Sequence, residues 1–235
     1  MFGWMEDRGD AAPGTGGPGA ATSDILITGH AGLVSGMGVA TDRGWRRVDA
    51  LRVGDRVLTF DHGPQALVDI QRESFQPAGR AAGDAVCPIR VPNGALNNAA
   101  DIWLMPDQGL MVESDTVLDV MDDPFALIPA RALGGFRGIR PELPEGALQI
   151  TTLAFRDDEV IYVEGGLLAH CPRPRCILTD GALTGRYRTL DSRAARYLVD
   201  CLREDNDIAA LVCDPEEIAG IAARGERLLS LAGQD

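Results

Sequence analysis

The chain has 235 residues, 45% hydrophobic but only 5% aromatic, so a core of Leu, Val, Ile and Ala is available for one large domain with an appendage. Lysine and arginine number 22 against 35 aspartates and glutamates, a net charge of −13. A surface this acidic repels nucleic acid and anionic membranes, and no apolar run approaches the roughly 18 residues of a membrane span.

Residues 1–24 read as a flexible arm. The stretch "GDAAPGTGGPGAATSD" holds Gly, Pro and Ala and little that builds a core. Its first residues differ: Phe2, Trp4 and Met5 are apolar and would suit an anchor that docks on a partner protein. "MFGWMEDRGD" lacks the basic and apolar regions of a signal peptide, which makes the cytoplasm the default expectation, with incorporation into a released particle as the variant.

Residues 25–180 read as a mainly β domain. "ILITGH" is a short apolar strand, and "GVATDRGWRRVDAL" is strand, turn at Asp42-Arg43-Gly44, strand. "DRVLTFDHGPQALVDIQ" predicts a hairpin with Val57, Leu58 and Phe60 on one arm. Its turn falls at Asp61-His62-Gly63-Pro64, and its other arm carries Leu67, Val68 and Ile70. "CPIRVPNGAL", "DIWLMPDQGLMVES" and "DEVIYVEGG" are further strands or strand pairs.

Residues 181–235 change to helical spacing. "DSRAARYLVDCLRED" sets Ala194, Tyr197, Leu198, Cys201 and Leu202 on one stripe. "DPEEIAGIAARGERLLSLAG" has an N-cap in Asp214, Pro215 at the first helical position, and Ile218, Ile221, Ala222 and Leu228 on its apolar side. These helices would pack on the β domain or on another subunit.

Few residues suggest chemistry outright. The five cysteines, Cys87, Cys171, Cys176, Cys201 and Cys213, are odd in number and irregularly spaced, which argues for thiols rather than a disulfide framework. "HCPRPRC" offers His170, Cys171 and Cys176 as weak metal ligands, but it lacks the second pair of a zinc site. Glu113, Asp115, Asp119, Asp122, Asp123, Asp158, Glu159 and Glu164 read as a solvated acidic face without a calcium-loop pattern. His62 reads as part of a structural turn. No nucleotide, flavin or metalloprotease motif is present, so no cofactor is expected.

One region carries a resemblance. "GVATDRGWRRVDALRVGDRVLTFDHGPQ", with "DIWLMPDQGLMV" and "LAFRDDEVIYVEGGLLAH" further on, resembles the Hint (hedgehog/intein) family, in particular the Hint-domain proteins of alphaproteobacteria. The resemblance implies a horseshoe-like β fold. In active members a Cys or Ser at the first position attacks the preceding carbonyl, and a Thr or Ser with a His from a second motif activates that amide and protonates its nitrogen.

Laid onto this chain, the nucleophile position falls on Gly32, the Thr/Ser position on Met105, the His position on Gln108, and two further His positions on Thr152 and Asp158. None of the five supplies the expected chemistry. The resemblance therefore implies a non-catalytic Hint-fold module that binds other proteins through its arm and C-terminal helices. A phage-like or gene-transfer particle is one such assembly. Two alternatives stand beside it. One is residual self-cleavage between Thr28 and Gly36, drawing on Ser35, Thr28 or Ser23. The other is an exported or surface-associated accessory protein.

Overall fold

The computed structural model describes residues 31–77, 87–173, 186–214 and 218. The N-terminal arm with Phe2, Trp4 and Met5, the strand expected at 25–30, Cys176 and most of the second C-terminal helix lie outside them.

Two antiparallel sheets form the body. The first has six strands in the order β11 (Arg140–Pro141), β7 (Ile89–Val91), β8 (Ile102–Leu104), β1 (Leu33–Val34), β12 (Leu148–Ala154) and β6 (Asp69–Phe75). The second runs β10 (Phe125–Pro129), β9 (Gly109–Glu113), β14 (Leu167–Cys171), β13 (Glu159–Val163), β2 (Gly38–Thr41), β4 (Arg56–Thr59) and β5 (Gly63–Ala66), with β3 (Gly44–Arg47) paired to β2. The chain is thus mainly β, as its sequence pattern predicts. No helix among the described residues is long and apolar enough to cross a membrane.

The two-residue alternation of strands sorts the side chains into layers. Leu33, Leu104 and Leu153 of the first sheet meet Val39, Val57, Val112, Ile161 and Ala169 of the second in one buried core. On the other face of the first sheet, Val34, Met105 and Ile150 form a separate cluster with half-buried Phe75, Trp103 and Leu148. On the other face of the second sheet, Ala40, Leu58, Met111, Leu127, Val160, Tyr162 and Leu168 gather, and Ile218 seats there at 3% exposure.

The expected hairpin after Gly54 is shorter than its apolar pattern suggests. Its second arm is Gly63–Ala66 and stops before Leu67. There the Leu67 N–H donates to Asp55 O, and the Val68 N–H donates to Ala154 O, which draws the chain into the first sheet. Ile70 accordingly pairs with Leu153, in a different sheet from Val57 and Leu58.

Two helices are described. Helix α1 (Asp115–Met121) was read from sequence only as acidic surface. Ser114 caps it by accepting from the Thr116 N–H, and Asp122 ends it in the left-handed conformation. Helix α2 (Ser192–Asp205) matches its expected position. Asp191 accepts from the N–H groups of Arg193 and Ala194, and Asn206 terminates the helix at φ 51°. Its buried stripe is Ala195, Leu198, Val199 and Leu202, one position round from the expected stripe, so Tyr197 stands 66% exposed.

The turn from β13 to β14 is fixed by close approach. A Cβ on Gly165, at φ +73°, would lie 2.3 Å from Leu96 O. That contact is with backbone, which cannot swing aside. Gly165→Ala is expected to lower the unfolding free energy by about 2 kcal/mol or more, read from urea melts, with unchanged far-ultraviolet dichroism at zero urea.

Candidate functional site

Strand β1 lies inside the first sheet, pairing Leu33 with Leu104 on one side and with Thr151 on the other. One residue outward from these pairs come Gly32, Met105 and Thr152. A tight turn, in which the Gln108 N–H donates to Met105 O at 3.0 Å, brings Gln108 to the same place. Four of the five positions singled out by the resemblance therefore converge.

Gln108 is 3% exposed and its carboxamide makes three hydrogen bonds. Its Oε1 accepts the Gly32 N–H at 3.0 Å. Its Nε2 donates to Gly109 O at 3.0 Å and to His170 O at 2.9 Å. The partners fix the amide's orientation, because only the oxygen can face an N–H and only the nitrogen can face two carbonyls. One uncharged side chain thus ties together the starts of β1 and β9 and the end of β14. The turn that carries it is held from behind: the Ala130 N–H donates to Gln108 O, the Arg131 N–H donates to Pro106 O, and the Arg131 guanidinium pairs with Asp107.

Gly32 has no room for a side chain. Its φ is +119°, and a Cβ there would lie 2.6 Å from Ile150 Cγ2 and 3.3 Å from Thr152 Oγ1. Met105 is 0% exposed and packs against Val34 and Ile150. The fifth position, Asp158, has a different set of partners. It is 7% exposed and accepts the Arg173 N–H at 2.8 Å and the Arg186 N–H at 3.0 Å, so one carboxylate joins two distant points of the chain.

Of the metal candidates, His170 and Cys171 are described and do not converge, while Cys176 lies outside the described residues. His170 and Cys171 are successive residues of β14 and project to opposite faces. The His170 ring meets the Tyr187 ring edge-on at 5.6 Å. Burial, with the charge of Glu159 nearby, pushes the Cys171 thiol up to about 12. Among the described residues, no three His, Cys, Asp or Glu side chains group as metal ligands would.

The acidic-face reading fails at two positions. Asp158 and Glu159 are both buried. Glu159 pairs with His62 at 3.0 Å, 97 residues away in sequence. Its alternation with Val160 was no guide, because every residue of β13 is buried. The only available signal was the Asp-Glu step at the entry to a strand, which is weak.

A family model described as the Hint domain matches residues 31–169, more than half of the chain. The chain belongs to the Hint domain family. Among solved structures, this Hint-domain chain is similar to a bacterial intein-like domain from Clostridium thermocellum, at 13% identity, 60% of this chain, 98% of that chain and a TM-score of 0.43. It is similar also to the gp41-1 intein, at 12% identity, 59% of this chain, 98% of that chain and a TM-score of 0.36. A search of curated proteins found no match.

Two expected outcomes follow from the packing. Gln108→Ala strands the buried Gly32 N–H and removes the donor to the Gly109 and His170 carbonyls, and should cost about 2–4 kcal/mol in a urea melt. Cys171 should stay unalkylated by iodoacetamide at about pH 8 in the folded protein and react only after denaturation, as read by peptide mass spectrometry.

Proposed function

We propose that this Hint-domain protein is a non-catalytic structural or binding module. The observation that supports this reading is the filled space at Gly32. Nucleophilic attack on a preceding carbonyl needs a side-chain sulfur or oxygen there, and Ile150 and the left-handed backbone leave no place for one. The group positioned to act on the adjoining amide is a carboxamide, which donates and accepts hydrogen bonds but takes up no proton near neutral pH.

In this reading the β body is a scaffold within a larger assembly, with a phage-like or gene-transfer particle as the concrete case. The N-terminal arm, through Phe2, Trp4 and Met5, and the C-terminal helices would bind neighbouring proteins. Exposed Tyr197 on α2 fits a helix with a further partner.

Self-cleavage between Thr28 and Gly36 is the competing reading, and Ser35 is its best nucleophile. The Ser35 hydroxyl does contact the Asp49 carboxylate. Burial works to raise that carboxyl, but hydrogen bonds from Ser35 and the Gly36 N–H, with Arg47 nearby, outweigh burial and hold it below the usual carboxylate range. A carboxylate so stabilised is a poor base for a hydroxyl.

The test is the intact mass of freshly made protein, before and after long incubation with a thiol nucleophile. The expected mass stays at 25.0 kDa, apart from loss of the initiator Met. A fragment cut between Thr28 and Gly36 would establish self-processing. Light scattering of the purified chain and pull-downs with the N-terminal arm then test the assembly role.

A further inference from the structure

We propose that His62, Glu159 and Arg186 form a pH-sensitive latch, which holds residues 186–190 against the β body while His62 is neutral and releases Arg186 when the imidazole gains a proton.

The turn between β4 and β5 presents His62, whose own N–H is held by Thr59 Oγ1 at 3.2 Å. Both oxygens of buried Glu159 lie at 3.0 and 3.1 Å from His62 Nδ1. On the other side of the ring, Arg186 Nη1 stands 2.7 Å from His62 Nε2. A guanidinium has only donors and keeps its charge at any ordinary pH. Nε2 must therefore accept from Arg186, and the ring's single proton must sit on Nδ1 and point to Glu159. The two neighbours together specify a neutral imidazole of one tautomer.

The other charged and titratable groups around the ring have partners of their own. Asp61 accepts from the Tyr187 hydroxyl at 2.5 Å and lies 3.6 Å from Arg186 Nε. Burial and the Asp61 carboxylate raise the Tyr187 hydroxyl well above its usual value, so it stays neutral. Cys171, across the strand pair from Glu159, stays a thiol. Asp158 is engaged with the backbone N–H groups of Arg173 and Arg186. His62 carries a side chain of the type that switches charge between about pH 5 and pH 8, and the other such side chain at the strap, His170, meets Tyr187 edge-on at 5.6 Å, which is why the test compares wild type with a His62 variant.

A proton on Nε2 would set two donors and two positive charges against each other across 2.7 Å. Glu159 retains the imidazolium. Arg186 must withdraw, and Asp61 is within reach to receive it. The segment it leaves is a strap held also by the Arg186 N–H bond to Asp158, the Tyr187 hydroxyl bond to Asp61 and backbone bonds to Leu127. The Leu127 N–H donates to Arg188 O, and the Leu190 N–H donates to Leu127 O, at 2.8 and 2.9 Å. The strap runs into Asp191, the cap of α2, and carries Tyr187, whose ring rests on His170. His170 in turn gives its carbonyl to Gln108. The latch therefore joins the appendage to the site at Gly32.

Amide hydrogen exchange of the full chain, followed by nuclear magnetic resonance and corrected for intrinsic pH dependence, tests the latch. The expected result is that protection of the Arg186 and Leu190 amides falls by about tenfold or more between about pH 8 and about pH 5.5, while that of core Val163 holds. In His62→Gln, which keeps a neutral hydrogen-bonding side chain, the pH dependence should vanish. In wild type at about pH 8 the ring nitrogens should report a proton on Nδ1. Equal protection at both pH values in wild type, or a pH dependence that survives in His62→Gln, overturns the proposal.

Discussion

A carboxamide holds the middle of this molecule together. Gln108 accepts from the N–H that opens β1 and donates to carbonyls that open β9 and close β14. These strands belong to both sheets, so the bridge couples the two halves of the body at one buried point. An amide suits such a place, since burying it costs no ionisation and both its oxygen and its nitrogen find partners. A titrating group there would make the junction depend on pH, as the His62 cluster does elsewhere.

Close backbone approach is what the bridge requires, and it explains the small residues around it. Gly32 faces Ile150 and Thr152, and a Cβ on Gly109 would lie 3.1 Å from His170 Cβ. Large residues fill the adjoining space: Met105 is 0% exposed and Ile150 1%. The arrangement is dense packing around a hydrogen-bonded polar group.

The sequence exposed the body of the fold well because strand punctuation is local. Asp42-Arg43-Gly44 turns β2 into β3, and the Asp191 cap with its apolar stripe announces α2. The convergence of Gly32, Met105, Gln108 and Thr152 was legible only through family likeness, since nothing in composition links residues 76 apart. Long-range choices escaped altogether. Val68 and Ile70 carry the same alternation as Val57 and Leu58, yet backbone bonds to Ala154 and Leu153 assign them to the other sheet. His62 and Glu159 read as a turn residue and a surface acid, because their pairing exists only after the chain has folded.

Asp158 has a consequence for how this chain tolerates change. Its two oxygens hold the backbone N–H groups of Arg173 and Arg186, so the chain between those residues closes a ring at a single carboxylate. Asn in its place would keep one acceptor oxygen and turn a donor toward the other N–H, so a change as small as oxygen to nitrogen would loosen two points of the backbone 13 residues apart.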